Sequence, residues 1–386
     1  MIQPAQRTDT IKEYYFSRKL KEVAAMRREG IDVISLGIGG PDTAPPESAV
    51  EEACRALRSP DAHGYQQHTG LPELREAFAR WYARTYGVTL DPASEILPLI
   101  GSKEGVLHLS LTFLNPGDAV LVPDPGYPTY TSVSRLLGAE VIHYPLVREN
   151  GWQPDFDALE RTDLSRVKMM WLNYPHMPTG AAATEETFRR AVDFARRHDI
   201  LLAHDNPYSL ILNPAPRSIL AIPGARDVAI ELNSLSKSHN MAGWRVGMAA
   251  SNPTFIQWLL KVKSNIDSGQ FRPVMLAAAA ALDEGPEWQA RLDAVYAPRR
   301  RVAEEIMRAL GCSFDPSQSG LFLWGRIERP GLKSEELADA LLRDAHVFIT
   351  PGSIFGPHGE GYIRISLCAS EERLREALER IKKTLS

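Results

Sequence analysis

Asn233-Ser234-Leu235-Ser236-Lys237-Ser238-His239-Asn240-Met241-Ala242-Gly243-Trp244-Arg245-Val246-Gly247 follows directly on the apolar run Val228-Ala229-Ile230-Glu231-Leu232. The run reads as a strand, so Lys237 stands just past a strand end. A lysine held there away from bulk water has its pKa lowered enough to attack a carbonyl and form a Schiff base. Ser234, Ser236 and Arg245 supply hydroxyls and a planar fork of N–H groups, the donors a phosphate needs. Gly243 and Gly247 frame the arginine and permit close approach. These residues together predict a phosphate-bearing aldehyde as ligand, and pyridoxal 5′-phosphate is the obvious one. A Ser-Leu-Ser-Lys string alone is a weak signal, because most lysines are solvated surface charges.

Further elements strengthen it. Leu201-Leu202-Ala203-His204-Asp205-Asn206-Pro207-Tyr208 reads as a buried strand ending in polar residues, with Asp205 32 residues before Lys237. In open parallel sheets ligands sit at the carboxyl ends of strands, where Asp205 projects. A carboxylate against a pyridine nitrogen keeps it protonated and the ring electron-accepting. Tyr208 is in reach of the phenolic oxygen of the same ring, although an Asp-Asn-Pro turn with an incidental tyrosine is the simpler reading when the pair is taken alone. Ile100-Gly101-Ser102-Lys103-Glu104-Gly105 is a strand-to-helix turn suited to cradling a phosphate. Asp124-Pro125-Gly126-Tyr127-Pro128-Thr129-Tyr130 is a rigid turn presenting an aromatic ring. Asn173-Tyr174-Pro175-His176-Met177-Pro178-Thr179-Gly180 follows the apolar strand Val167 to Leu172, and Gly361-Tyr362-Ile363-Arg364-Ile365-Ser366-Leu367 sets Arg364 opposite Ile363 and Ile365.

In this order, over nearly all 386 residues, the motifs resemble the class I/II aminotransferases, fold-type I pyridoxal-phosphate enzymes. The resemblance implies Lys237 as the Schiff-base lysine, Asp205 as the ring-nitrogen partner and Tyr208 as the donor to the ring oxygen O3′. It implies Ser234, Ser236, Arg245 and the backbone at Ser102 and Lys103 as the phosphate shell, with Tyr127 stacked on the ring and Asn173 beside it. Arg364 resembles the arginine that grips the substrate α-carboxylate, under the loop Leu36-Gly37-Ile38-Gly39-Gly40-Pro41-Asp42 with backbone N–H groups near Gly39. Tyr65, in His63-Gly64-Tyr65, resembles a tyrosine reaching the phosphate of a neighbouring subunit, which implies a homodimer with shared active sites. One position departs from the pattern: Met177 stands where the family has an asparagine before Pro-Thr-Gly. A thioether cannot donate the hydrogen bond that O3′ otherwise receives.

Composition is that of a soluble enzyme. With 44% hydrophobic and 24% charged residues the chain can bury a large core. A net charge of −4 gives no reason to expect nucleic acid or an anionic membrane as partner. Cys54, Cys312 and Cys368 are scattered, without metal or disulfide spacing, and suit a reducing cytoplasm. No metal ligands are assigned. Residues 11–30 are strewn with charge, unlike a signal peptide, and the longest apolar run, Val274 to Leu282, is too short to span a membrane.

Strands alternate with helical stretches from about residue 46 to 285, which predicts an α/β fold with a mostly parallel sheet flanked by helices. Helices are expected at 71–86 and 185–198, and a strand at 119–122. Beyond Gly285-Pro286 come an expected helix (287–310), a strand (321–324), a second helix (334–344) and two more strands. The expected organisation is a large cofactor-binding domain (46–285) and a discontinuous smaller α+β domain (1–45 and 286–386). Arg299-Arg300-Arg301 reads as a solvated or ion-paired helix face.

The chemistry implied is ping-pong transfer of an amino group between an L-amino acid and a 2-oxo acid, Lys237 carrying the proton from Cα. Within the family the chain looks most like the LL-diaminopimelate and alanine aminotransferase-like subgroup, with glutamate and 2-oxoglutarate as a further pair. Tyr14, Tyr15 and Gln270 are candidates for the side-chain pocket; His63, His68 and His176 read as scaffold. The alternatives are a C–S β-lyase on the same lysine and a non-catalytic cofactor-binding protein.

Overall fold

The computed structural model describes residues 2–11 and 15–385. Its strands, in chain order, are β1 (Ile34–Ser35), β2 (Ile96–Leu99), β3 (Ala119–Asp124), β4 (Glu140–Pro145), β5 (Val167–Asn173), β6 (Leu201–Asp205) and β7 (Ala229–Ser234). β8 (Gly247–Ala250), β9 (Cys312–Phe314), β10 (Phe322–Ile327), β11 (Val347–Phe348), β12 (Thr350–Pro351) and β13 (Tyr362–Ser366) follow.

One sheet has the order β2-β8-β7-β6-β5-β3-β4. Its strands run parallel except β8, which is antiparallel to both neighbours. The exception has a local cause. Parallel strands need a long crossover, whereas β7 returns to β8 through the compact Leu235–Val246 turn that carries Lys237 and Arg245. β6 and β7 are buried at every position, as sheets covered on both faces require. Along β5, Met170 and Leu172 join one core and Met169 and Trp171 the other, the period-two alternation of a strand between two helical layers.

The helices are set by ordinary terminal chemistry. Thr184 caps the helix Glu185–His198 by accepting from Thr187 N at 3.0 Å, with Glu185 and Glu186 in its first turn and Arg196, Arg197 and His198 in its last. Each choice suits the helix dipole, and such a cap is worth about 1 kcal/mol.

A second sheet, β12-β13-β10-β9, is antiparallel. β1 pairs in parallel with β11, and Leu36 then bridges it to the second sheet by donating to Phe348 O and accepting from Ser366 N. That stitching brings the Gly37–Gly39 loop over β13 and Arg364.

The helix expected at 185–198 has those bounds; the one expected at 71–86 begins at Pro72, three strands rather than two follow the helix expected at 334–344, and other bounds shift as well. The helix expected at 287–310 is Pro286–Ala309, and β3 runs on to Asp124. The helix expected at 334–344 is regular only over Ser334–Ala340 and ends in a wider turn, Leu341–Ala345. The strand expected at 321–324 continues to Ile327, because Gly325 and Arg326 pair with both β9 and β13. Of the two readings of Arg299, solvated or ion-paired, the second holds: it is buried and holds Asp42 by two bonds of 2.6 and 3.0 Å. Among the described residues no helix is long and apolar enough to cross a membrane.

Candidate active site

The carboxyl ends of β5, β6 and β7 and the helix Ser102–Phe113 surround one chamber of about 400 Å³. Lys237 enters it from the short helix Leu235–Ser238, whose first turn is held by Ser234 accepting from Ser236 N. Its Nζ donates to Gly39 O at 2.5 Å. Burial lowers the pKa of this amine, and the nearby Arg364 and Arg245 guanidinium groups press the same way.

Beside it lie three phosphate-type donors. Arg245 adopts a left-handed conformation (φ 57°) and donates to Ala242 O at 2.9 Å and Ser236 Oγ at 3.3 Å. Gly101, which precedes Ser102 at the helix start, is a close-approach position: a Cβ there would stand 2.2 Å from the Arg245 Nη2. Ser102 and Lys103 thus open a helix N-terminus against Ser234, Ser236 and Arg245, the arrangement an anionic phosphate favours.

Asp205 ends β6, buried. Its Oδ2 accepts from the Tyr130 hydroxyl at 2.8 Å, while its Oδ1 has no hydrogen-bond partner. Burial pushes this carboxyl up to about 6, against the opposing pull of Tyr130, His204 and Ser102. Tyr127 lines the same chamber edge-on to Tyr130, and Tyr208 lines it edge-on to Phe322, its phenol pushed well above the usual range by burial. The Asn173 amide donates to Asp205 O and accepts from Met177 N, so it fixes two backbone turns and keeps one N–H to spare.

At the far end Arg364 donates to Gly37 O at 2.8 Å and to Met177 Sδ at 3.2 Å. Its guanidinium lies 3.9 Å from the Phe322 ring centre and 4.8 Å from that of Phe355. Gly39 is required here, since a Cβ would stand 2.1 Å from Phe322 Cζ.

A match to the family model described as aminotransferase class I and II spans residues 31–381. The chain belongs to this family. An LL-diaminopimelate aminotransferase of Moorella thermoacetica is 42% identical to it over 100% of this chain and 99% of the relative. Among solved structures, apo-BacF from Bacillus subtilis superposes with a TM-score of 0.94 at 37% identity, covering 99% of this chain and 98% of that one. An aromatic aminotransferase from Pyrococcus horikoshii OT3 gives 0.86 at 32%, covering 94% and 98%. This aminotransferase therefore has the fold-type I α/β architecture, depends on pyridoxal phosphate and transfers amino groups. Family and relatives favour transfer over C–S elimination and over a non-catalytic role.

The residues present fit that cofactor. The unpartnered Asp205 Oδ1 suits a ring N–H, the Ser–Arg–helix corner suits a phosphate, and the buried Lys237 amine suits an aldehyde.

Of the residues singled out from sequence, Gly39, Ser102, Lys103, Tyr127, Asn173, Asp205, Tyr208, Ser234, Ser236, Lys237, Arg245 and Arg364 meet in this chamber. Tyr65 does not: it is 97% exposed on the surface of this chain. Tyr15 and Gln270 do not line it either, Gln270 instead donating to Arg245 O, and Tyr14 lies outside the described residues. Tyr130, Phe16, Phe322 and Phe355 were missed. Tyr130 lies in the first turn of the helix Pro128–Leu136, three residues after Tyr127, which precedes that helix, a signal that was available. Phe322 is placed by its pairing two positions from the residue opposite Arg364, which no local pattern reveals.

A polar cluster, Glu104, His108 and Asp267, lies along the helix that Ser102 opens, with side-chain ligand atoms within 4.8 Å of one another. The Lys263 ammonium pairs with Asp267 inside it and supplies the compensating cation.

Proposed function

We propose that the Lys237 amine would hold the cofactor aldehyde and, when free of it, would serve as the base that takes and returns the proton at the substrate Cα. Bound pyridoxal phosphate supplies an electron-accepting ring. Asp205 would hold the ring nitrogen through its unpartnered oxygen and favour its charged form, with Tyr130 orienting the carboxylate. Tyr208 would donate to the ring oxygen, Tyr127 and Asn173 would flank the ring, and Ser102, Lys103, Ser234, Ser236 and Arg245 would hold the phosphate. Arg364 binds the α-carboxylate with the backbone near Gly39, while burial lowers the Lys237 pKa and so favours the neutral amine that a base requires.

What carries this reading is one coincidence: the Lys237 amine, the unpartnered oxygen of Asp205 and the Arg364 guanidinium all face one chamber. Tyr65, exposed here, completes the phosphate shell of a second copy, so the working unit is a cytoplasmic homodimer with shared sites. Each copy divides into a large domain (46–285) and a small one (1–45 with 286–386). Diaminopimelate, alanine and glutamate are the donors that the subgroup resemblance and the relatives' names bring forward.

The test mixes the yellow holoenzyme with single amino acids, without an oxo acid, and follows the cofactor's visible absorbance. At least one donor must bleach it, and Lys237→Ala must abolish that response. Bleaching that survives in Lys237→Ala sinks the assignment of the lysine, and a monomeric mass by light scattering sinks the shared site.

A further inference from the structure

We infer that His204 is a buried imidazolium, with a hydrogen on each ring nitrogen, whose charge helps to keep the Asp205 carboxylate ionised. For the role of Asp205 at the ring nitrogen the inference rests on the reading proposed above, while the protonation of His204 stands on geometry.

His204 precedes Asp205 on β6 and is fully buried, as is Glu231 opposite it on β7. Its Nδ1 lies 2.7 Å from Glu231 Oε2 and its Nε2 3.2 Å from the Tyr174 carbonyl oxygen. A carbonyl only accepts, so Nε2 carries a hydrogen. The state of Nδ1 then turns on Glu231. The Tyr82 hydroxyl accepts from Asn233 Nδ2 at 3.3 Å and donates to Glu231 Oε1 at 2.7 Å. The Ser218 hydroxyl accepts from Leu220 N at 3.1 Å and donates to the same oxygen at 2.9 Å. Ile219 N donates to Oε2 at 3.1 Å. Three donors besides His204 thus converge on one carboxyl, the surroundings of an acceptor-only carboxylate. Facing it, Nδ1 needs a hydrogen as well, since a neutral ring would set a lone pair against the oxygen.

A buried charge persists when it is paired and hydrogen-bonded on every side, and this pair is. Its positive member stands on the strand of Asp205 and its negative member one strand away. On the same ring Phe188 packs edge-on, its centre 4.9 Å off, and the Tyr174 phenol is turned away to Trp152 O. His204 therefore pulls the Asp205 carboxyl toward its charged form while burial pushes the other way. His204 and Glu231 do not line the chamber. They are positioning residues that act through Asp205.

NMR of the holoenzyme labelled with nitrogen-15 in histidine tests the first half. The His204 ring is identified by its contacts with the Phe188 ring and by its loss in His204→Gln. At about pH 8, where exposed histidines are neutral, it is expected to show hydrogens on both nitrogens. A neutral tautomer there overturns the inference. The second half is read in the full chain freed of cofactor, by carbon-13 titration of Asp205, assigned by its loss in Asp205→Asn. His204→Gln keeps a donor for Glu231 without the charge, and the Asp205 midpoint, near 6 in the native chain, is expected to rise by about one pH unit. His204→Asn provides the same reading if the glutamine variant does not fold. A midpoint that stays or falls overturns the inference, because loosening of the fold alone exposes the carboxyl and moves its midpoint down. Unchanged turnover in Asp205→Asn, with both titrations as expected, overturns instead the placement of Asp205 at the ring nitrogen.

Discussion

Asp205 and Glu231 are buried carboxylates on adjacent strands, and they are built in opposite ways. Glu231 Oε1 accepts from the Tyr82 hydroxyl at 2.7 Å and the Ser218 hydroxyl at 2.9 Å, and its Oε2 accepts from Ile219 N and meets His204 Nδ1 at 2.7 Å. Nothing about it is left to satisfy. Asp205 takes one bond, from Tyr130, and keeps an oxygen unpartnered. A buried acceptor without a partner costs stability, and this one lines the chamber, which suits it to a ligand's donor. The strands place the two acids on opposite faces: His204 pairs with Glu231, and Asp205, one residue on, turns to the chamber.

The comparison can be broken in order of expected size. Glu231→Ala should cost about 3–5 kcal/mol by chemical denaturation, because it strands three donors and an imidazole in the core. A loss below about 1 kcal/mol would show the network to be slack. Asp205→Asn should cut turnover by about 10² to 10³ through loss of the charge facing the ring. Without cofactor the same substitution should do the reverse and stabilise the fold. The native carboxyl sits near 6 against 3.8 unfolded, so the native state holds its proton longer and stability falls as pH rises between those values. Thermal melts of the apo protein should favour Asp205→Asn by up to about 3 kcal/mol above pH 6, the gain vanishing toward pH 4. A gain that persists at low pH refutes the burial account. Tyr130→Phe removes the one donor on Asp205, and equilibrium dialysis should show cofactor binding roughly tenfold weaker.

The same contrast explains what sequence could disclose. Lys237, Asp205 and Arg245 sit in local strings whose residue types carry the chemistry, so they were legible. Glu231 was read only as part of an apolar run, because its partners Tyr82, Ser218 and His204 come from three distant segments. The parallel sheet followed from strand–helix alternation, yet the reversed β8 did not, since it depends on how tightly the Lys237 turn folds. The phenylalanines around Arg364 were invisible for a related reason: β10 and β13 set them by cross-strand register.

Met177 supplies the smallest effect and the sharpest use of the contrast. It lines the same chamber as Asp205, at the position where the family pattern has an amide that donates to the ring oxygen. Its sulfur instead accepts from Arg364, so it gives the ring nothing and holds the carboxylate-binding arginine. An asparagine can do both, turning its carbonyl to Arg364 and its N–H to the ring. A donor at the ring oxygen favours the charged form of that oxygen, which lowers the pH at which the neighbouring Lys237 nitrogen gives up its proton. Met177→Asn should therefore move the midpoint of the cofactor's visible-band titration down by up to about one pH unit, with kcat changed less than KM for the amino acid. An unchanged or raised midpoint would mean that the Asp205 side of the ring alone sets its electronics, and that the methionine is there for Arg364.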